Sequence, residues 1–152
     1  MMLTTLRIIN ENEKPLLWEL LSNYLRELSQ FGEVNFDYPY FGSYWTNENR
    51  WPYFIINGKN IAGFILVNTW SLSGKGTDFG LAEFCVRPEY RGLKIGKNAF
   101  RSLLNLHPGQ WELSVMQGNE PAKEFWKRSI FSSDLQINQT SEKVVIFRFS
   151  TT

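Results

Sequence analysis

The sequence has very little thiol and imidazole chemistry, because its 152 residues include one cysteine, Cys85, and one histidine, His107. A single cysteine cannot form a disulfide within the chain, and its scarcity is typical of proteins in a reducing compartment. The sequence also has no cluster of ligands with metal-binding spacing, so we expect no metal site.

Long apolar runs and excess charge are also missing. No apolar run approaches the roughly 20 residues that a helix needs to cross a bilayer. Residues 1–7 lack the charged segment and apolar run of a signal peptide. The formal net charge of +1 argues against a broad nucleic-acid-binding surface. We therefore expect a soluble cytoplasmic protein that binds neither membrane nor nucleic acid.

The chain is rich in apolar and aromatic residues. Hydrophobic residues make up 43% of it and aromatic residues 16%, which favours a folded core over disorder. A length of 152 residues fits one domain, 1–152, which is large enough to bury such a core. Six tryptophans and twelve phenylalanines suggest more than core filling, namely an apolar pocket.

Hydrophobic patterns divide the chain into alternating elements. Apolar residues at helical spacing predict an amphipathic helix that follows a first strand and ends near Phe31. Asn57-Gly58 is a hairpin signal between two further strands. The remaining patterns predict strands at 81–86, 111–116 and 144–149, helices at about 94–107 and 119–127, and optionally a short helix at 40–46. This order indicates a mixed α/β layer with an antiparallel centre and one parallel crossover.

The most informative stretch runs from Leu81 to Leu104, where a strand, a charged glycine turn and an amphipathic helix follow one another. A turn that opens a helix leaves several backbone N–H groups without partners, and the helix dipole adds partial positive charge. Arg91, Lys94 and Lys97 place further positive charge around these groups. The stretch predicts a site for a phosphate or pyrophosphate group, the alternative being a helix start without a ligand.

This turn and a later helix resemble motifs of the GNAT superfamily of acetyl-CoA-dependent N-acetyltransferases. The run from Arg91 to Gly96 is similar to the family's Arg/Gln-x-x-Gly-x-Gly/Ala turn, and Asn119-x-x-Ala122-x-x-Phe125-Trp126 to its Asn-x-x-Ala-x-x-aromatic helix. The resemblance implies an α/β (α+β) fold with a mixed, mostly antiparallel sheet of six to seven strands flanked by helices. A splayed strand pair in that sheet, here 81–86 and 111–116, would form the cofactor cleft.

The resemblance also implies which residues bind acetyl-CoA. Backbone amides of the turn would hold the pyrophosphate, and the pantetheine arm would bond to the preceding strand, where one N–H near Phe84 or Cys85 would hold the developing oxyanion. Asn119 would reach the arm from the other side. The predicted cofactor residues are Phe84, Cys85, Val86, Arg91, Gly92, Leu93, Lys94, Ile95, Gly96, Lys97, Asn119 and Trp126.

Two residues depart from the family pattern. Lys94 replaces the middle glycine of the turn. A left-handed backbone there would cost a non-glycine residue about 1–2 kcal/mol, so we expect the right-handed backbone of a helix start, and Lys94 could pair with a phosphate. Trp126 stands where many members carry a tyrosine that protonates the leaving thiolate, and an indole is no practical acid. Tyr90 and solvent are the alternatives for this proton, and the acid stays unassigned.

Glu83 is the candidate general base, because an ammonium group must lose a proton before it attacks. The alternative for Glu83 is an ordinary ion pair. Strand alternation places Leu81, Glu83 and Cys85 on one face unless a bulge intervenes. We expect Cys85 to pack as a small buried hydrophobe, and His107 to interact with the dipole of the helix that it ends.

Aromatic residues crowd the segment from Phe31 to Tyr53, which has no dominant period. The prediction for its functional part is an acceptor pocket, with core and lid packing as the alternative. Acidic residues of the same segment, Glu33, Asp37 and Glu48, would attract a cationic amine, assisted by cation–π contacts. The predicted pocket walls are Tyr38, Tyr40, Tyr44 and Trp45.

The leading hypothesis is therefore an N-acetyltransferase that moves an acetyl group from acetyl-CoA to a primary amine of a small molecule or peptide by direct attack. Two alternatives stay open. One is an acyl-CoA-binding sensor or interaction module without turnover, and the other is a nucleotide-binding module of unrelated fold. The sequence leaves the acceptor, the acyl chain and the oligomeric state open, with a homodimer among the options.

Overall fold

A computed structural model of the chain describes residues 3–151. Its centre is a seven-stranded sheet with the strand order β1-β2-β3-β4-β5-β7-β6. The strands are β1 (Thr4–Ile8), β2 (Trp51–Asn57), β3 (Asn60–Asn68), β4 (Phe79–Val86), β5 (Gln110–Met116), β6 (Gln136–Gln139) and β7 (Val144–Ser150). The helices are α1 (Lys14–Leu28), α2 (Ser43–Thr46), α3 (Ile95–Leu106) and α4 (Glu120–Ser129).

The strand pairing confirms the predicted fold class. Neighbouring strands are antiparallel except for β4 and β5, which are parallel and are connected through α3. The predicted hairpin joins β2 to β3, and Gly58 takes the positive φ of 65° that such a tight turn requires. Helix α1 ends at Leu28 rather than near Phe31, and the optional short helix is confined to Ser43–Thr46.

Two apolar cores lie on opposite faces of the sheet. One packs α3 and α4 against the sheet, with Phe100 and Trp126 among its buried residues, and the other packs α1 and the segment after it, with Leu17 and Leu21. The helices therefore cover both faces of the sheet. None of the helices within residues 3–151 is long and apolar enough to cross a bilayer.

Strands β4 and β5 separate soon after they meet. Only 79–81 of β4 pair with 111–113 of β5, and beyond that point β4 continues against β3 while β5 continues against β7. The edge of β4 that faces β5 is consequently free of strand partners from Ala82 onward. This is the splayed strand pair that the family resemblance implies.

A bulge in β4 changes which side chains share a face. Leu66 of β3 is opposite Glu83, and the next residue, Val67, is opposite Leu81, so Ala82 is the extra residue. Leu81 packs in the core formed with α3 and α4, whereas Cys85 packs in the core formed with α1. The predicted common face of Leu81, Glu83 and Cys85 is therefore wrong at Leu81, because the bulge resets the alternation.

A close approach of β3 and β4 fixes the strand geometry beside the splay. Gly63 is opposite Val86, and a Cβ atom at Gly63 would lie 1.9 Å from the carbonyl oxygen of Cys85. A real Cβ cannot occupy that position, so only glycine allows the two backbones to approach this closely.

A buried carboxylate holds the loop between β3 and β4 against the sheet. Glu112 of β5 is fully buried, and it accepts hydrogen bonds from the Ser71 and Ser73 hydroxyls, from the Ser73 N–H and from Arg148. Burial alone would raise the pKa of Glu112, but the serine hydrogen bonds and the arginine charge outweigh it and lower the pKa. Each charge in this cluster has a partner, which makes it a structural anchor.

His107 lies in an aromatic cluster away from the splay. Its ring is near those of Trp51, Tyr53 and Phe79, and its Nε2 is 2.7 Å from the Tyr53 hydroxyl. Burial lowers the pKa of His107, which favours the neutral imidazole. A neutral imidazole interacts less with the dipole of α3 than an imidazolium would, so the predicted contribution of His107 at this helix end is small.

Candidate active site

The turn between β4 and α3, residues 91–97, has a left-handed backbone at two residues, and we call it the phosphate turn. Gly92 has a φ of 79°, and Lys94 has a φ of 65° and a ψ of 11°. The right-handed backbone expected for Lys94 is wrong, because this residue is the N-cap of α3 and lies outside the helical backbone that begins at Ile95. For a residue with a Cβ atom this conformation costs about 1–2 kcal/mol.

The backbone N–H groups of the phosphate turn are open at the start of α3. Asn98 is the first residue there whose N–H bonds back, to the Lys94 carbonyl at 3.0 Å. Within the described residues, none of the five N–H groups from Leu93 to Lys97 donates to a backbone oxygen. They form the kind of site that binds a phosphate or pyrophosphate anion.

The Arg91 side chain is hydrogen-bonded within the protein and does not extend freely toward the phosphate turn. Its Nε donates to the Val86 carbonyl at 2.8 Å, and its two terminal nitrogens lie 2.6 and 2.8 Å from the carboxylate oxygens of Glu27 on α1. The predicted free positive charge at Arg91 is therefore neutralised by Glu27. Arg91 connects the phosphate turn to β4 and to α1.

Gly96 lets α3 and α4 touch. A Cβ atom at Gly96 would lie 3.2 Å from Phe125 of α4 and 3.3 Å from Val86 of β4. Both contacts are tighter than normal packing, so a side chain at this position would push α4 away from the start of α3. The second predicted motif thus packs directly against the first.

A cavity of about 500 Å³ lies where β4 and β5 separate, and it reaches both faces of the sheet. On the face of α4 it is lined by Phe84, Asn119 and Trp126, and on the face of α1 by Tyr24 and Tyr38. Its size is typical of a small-ligand site. Further lining residues that matter below are Glu33, Tyr40 and Glu83.

Glu83 is a half-buried acid that lines this cavity. The Tyr38 hydroxyl donates to its Oε2 atom at 2.8 Å. Burial raises the pKa of Glu83 to about 7, even though hydrogen bonds from Tyr38 and Tyr24 act in the opposite direction. No lysine or arginine within residues 3–151 pairs with it. The ion pair considered as an alternative is therefore absent, and a carboxyl with this pKa can accept a proton near neutral pH.

The four aromatic residues predicted for the acceptor pocket divide into two pairs. Tyr38 and the 70%-exposed Tyr40 line the cavity. Tyr44 is buried in the core with α1, and the Trp45 Nε1 donates to the Ile9 carbonyl at 2.9 Å. The prediction is wrong for Tyr44 and Trp45, because neither lines the cavity and the Tyr44 hydroxyl lies beside Tyr38 and Asn68.

The α4 residues have structural contacts at the cavity wall. The Asn119 side chain accepts a hydrogen bond from the Ala122 N–H at 3.2 Å, so it caps α4 while it lines the cavity. Trp126 is 6% exposed and packs edge-on against Phe84 and Phe100, with ring centroids 5.1 and 5.0 Å apart. Tyr90 does not line the cavity, so the proposed substitute for the missing tyrosine is not in place.

Cys85, Val86 and Lys97 have side chains outside the cavity. Burial raises the pKa of Cys85 to about 12, and the residue packs as the expected small hydrophobe. Val86 contributes its carbonyl to Arg91, and the Lys97 ammonium lies 5.6 Å from the ring centre of Phe131. A contact of these three residues with a cofactor would use their backbone groups.

The residues present fit acetyl-CoA. Open amides at the phosphate turn suit a pyrophosphate, and the unpaired edge of β4 offers backbone groups to an amide-containing arm. The cavity between β4 and β5 then has room for an acyl group beside Glu83. These features lie along one strand and the turn that follows it.

A family profile matches most of the chain. The profile of the acetyltransferase (GNAT) family matches residues 16–130. No curated protein sequence matches the chain.

Solved structures share the fold at low identity. An acetyltransferase from Thermus thermophilus has a TM-score of 0.72 at 14% identity, with 97% of both chains covered. The PaiA N-acetyltransferase of Thermoplasma acidophilum, solved with coenzyme A, has a TM-score of 0.71 at 14% identity, covering 99% of this chain and 100% of that one. Arabidopsis thaliana Naa50 with a bisubstrate analogue, CoA-Ac-MVNAL, has a TM-score of 0.68 at 16% identity, covering 97% and 99%.

The alternative of a nucleotide-binding module with an unrelated fold is wrong, because the chain matches the acetyltransferase (GNAT) profile and its sheet has the strand order expected for that family. The profile covers most of the chain, including both motifs and both splayed strands. The chain belongs to the GNAT family of acetyltransferases, enzymes that use acetyl-CoA.

Proposed function

We propose that this protein transfers an acetyl group from acetyl-CoA to the primary amine of a small molecule or peptide, with Glu83 as general base. The observation that carries the proposal is the position of Glu83. Its carboxyl group lies in the cavity at the point where β4 separates from β5, without a cationic partner among the described residues.

Bound acetyl-CoA supplies an activated acetyl thioester. The N–H groups of the phosphate turn hold the anionic end, and the free edge of β4 orients the arm. Glu83 accepts the proton that the amine loses as its nitrogen bonds to the acetyl carbon and the carbon–sulfur bond breaks. In this proposal solvent supplies the proton that sulfur gains, since Trp126 on the cavity wall has no acidic group.

Direct attack by the amine is favoured over an acyl-enzyme route. The single cysteine, Cys85, is buried in the α1 core, and its raised pKa of about 12 keeps it a thiol. A thiol in such surroundings is a poor nucleophile. Cys85 also does not line the cavity, so the acetyl group has no cysteine to move to.

The charge of the cavity favours a cationic acceptor that carries no carboxylate close to its amine. Two carboxylic acids, Glu33 and Glu83, line the cavity, and the described residues around it include no lysine or arginine. Tyr24, Tyr38 and Tyr40 add aromatic surface that attracts ammonium groups. An acceptor carboxylate would find no cation here and would meet like charge.

Thermal shift and thiol release test the proposal together. Acetyl-CoA at about 100 times its Kd should stabilise the protein by roughly 2.7 kcal/mol. Thiol release should then be faster with 1,5-diaminopentane than with lysine, which is the same diamine with an added carboxylate. A thermal shift without thiol release across an amine panel would favour the non-catalytic module, and no shift at millimolar acetyl-CoA would refute both.

Two variants distinguish the loss of a general base from the loss of any negative charge. Glu83→Gln should lower kcat/KM by roughly 100-fold or more while the acetyl-CoA thermal shift persists. Glu19→Gln removes an exposed carboxylate of α1 outside the cavity and should leave kcat/KM unchanged. Equal activities of the two variants would remove Glu83 from the mechanism.

A further inference from the structure

Tyr38 has an unusual backbone for its residue type. Its φ is 39°, and Tyr38 and Lys94 are the two non-glycine residues within 3–151 with positive φ. Two backbone hydrogen bonds hold the turn around Tyr38. The Tyr38 N–H donates to the Asn35 carbonyl at 3.2 Å, and the Phe41 N–H donates to the Tyr38 carbonyl at 3.0 Å. Bulky residues rarely adopt this conformation, and where they do the strain often serves a site.

The strained turn directs the Tyr38 side chain across the cavity to β4. Its hydroxyl reaches Oε2 of Glu83 at 2.8 Å, although the two residues are 45 positions apart in sequence. The turn therefore delivers a hydrogen-bond donor to the one carboxyl that lies between the separated strands.

A phenol suits a carboxylate that must remain a base. A lysine or arginine beside Glu83 would stabilise its charge strongly and weaken it as a proton acceptor. A neutral hydroxyl fixes the carboxylate and stabilises its charge less. Tyr38 stays neutral in this role, because burial and the charge of Glu83 raise its pKa above the ordinary value.

We propose that Tyr38 is a positioning residue, which uses its left-handed turn to hold the Glu83 carboxylate in the cavity and to favour its charged form. This inference rests on the proposed role of Glu83 as base. It adds a residue from the segment between α1 and β2, so the loop that lines the acceptor side also orients the base.

Other ionisable groups around Glu83 include two phenols and one carboxyl. Tyr24 of α1 and Tyr44 of α2 both have raised pKa values, well above the ordinary range for Tyr24 and about 12 for Tyr44. The remaining acid of the cavity wall, Glu33, is exposed. The Glu83→Gln variant therefore decides which carboxyl signal belongs to Glu83.

The test measures the Glu83 carboxyl in the free protein. Carbon-13 NMR of protein labelled at glutamate Cδ gives its titration curve, and Glu83→Gln assigns the signal. Tyr38→Phe should move the midpoint upward by about one pH unit, since a hydrogen bond to a charged group is lost. Tyr53→Phe removes a phenol bonded at 2.7 Å to His107 outside the cavity and should leave the midpoint in place.

Enzyme kinetics supply the second readout. In Tyr38→Phe the acid limb of kcat/KM should move to higher pH by the same amount, so that the loss is several-fold at pH 6 and small at pH 9. A uniform loss across pH, or an unchanged NMR midpoint, would overturn the positioning role. A shifted midpoint in a protein that turns over no amine would uphold the Tyr38 contact and refute the proposed function instead.

Discussion

Replacing Lys94 by glycine tests the left-handed backbone of the phosphate turn. Lys94 is exposed, so the substitution removes a charge and a flexible side chain without opening a cavity. Its φ of 65° is a conformation in which glycine has no steric penalty. Lys94→Ala provides the matched control, because alanine also lacks the charge but keeps the Cβ atom that causes the strain.

The expected gain is the difference between two terms. Removing the left-handed strain contributes about 1–2 kcal/mol. The greater freedom of glycine in the unfolded chain costs about 0.5–1 kcal/mol. Lys94→Gly should therefore be more stable than Lys94→Ala by roughly 0.5–1 kcal/mol, which corresponds to about 1–4 °C in Tm for a chain of this length.

Urea and thermal unfolding of the wild type and the two variants measure this difference. Lys94→Ala should unfold close to the wild type, because it keeps the same backbone strain. A glycine variant that is no more stable than the alanine variant would refute the left-handed assignment. Acetyl-CoA binding gives a second result: if Lys94 contacts a phosphate, both variants should weaken binding equally, and more at low salt than at high salt.

Three further predictions concern buried groups. Glu83→Gln should stabilise the protein by about 1–3 kcal/mol at pH 8 and not at pH 4. The reason is that the raised pKa of Glu83, about 7, makes the wild type lose stability as pH rises through 7 and its carboxyl becomes charged. Thermal unfolding of both proteins at the two pH values measures the difference. Glu112→Gln should lower the free energy of unfolding by about 3 kcal/mol at pH 7, because it leaves Arg148 without its carboxylate partner. The loss should be smaller in acid, because the lowered pKa of Glu112 means that the carboxylate stabilises the protein only at higher pH. Gly63→Ala should cost about 3 kcal/mol in urea unfolding, whereas Gly42→Ala, with open space at its Cβ, should cost little.

The sequence predicted the strand, turn and helices around the phosphate turn because their signals are local. The strand, the glycine turn and the helix from Leu81 to Leu104 are contiguous, and each has a hydrophobic period or turn residue that fixes its type. The second motif, from Asn119, lies on α4 as predicted and packs against Gly96. Family motifs therefore located both helices correctly.

The errors come from contacts that no local pattern encodes. The bulge at Ala82 moves Leu81 to the other face, and its cause is the pairing with β3. The pairing of Arg91 with Glu27 joins residues 64 positions apart. In the segment between α1 and β2, aromatic content alone did not separate Tyr38, which reaches the cavity, from Trp45, which packs in the core.

Two carboxylic acids on adjacent strands show how environment separates function from structure. Glu112 on β5 is fully buried, yet serine hydroxyls and Arg148 neutralise it, and its pKa is lowered. Glu83 on β4 has hydroxyl partners and no cation, and its pKa is raised. A protein gains stability from the first arrangement and loses it through the second at neutral pH. A raised pKa lowers stability at neutral pH and is useful where a proton must be accepted, so we propose Glu83, and not the better-buried Glu112, as the base.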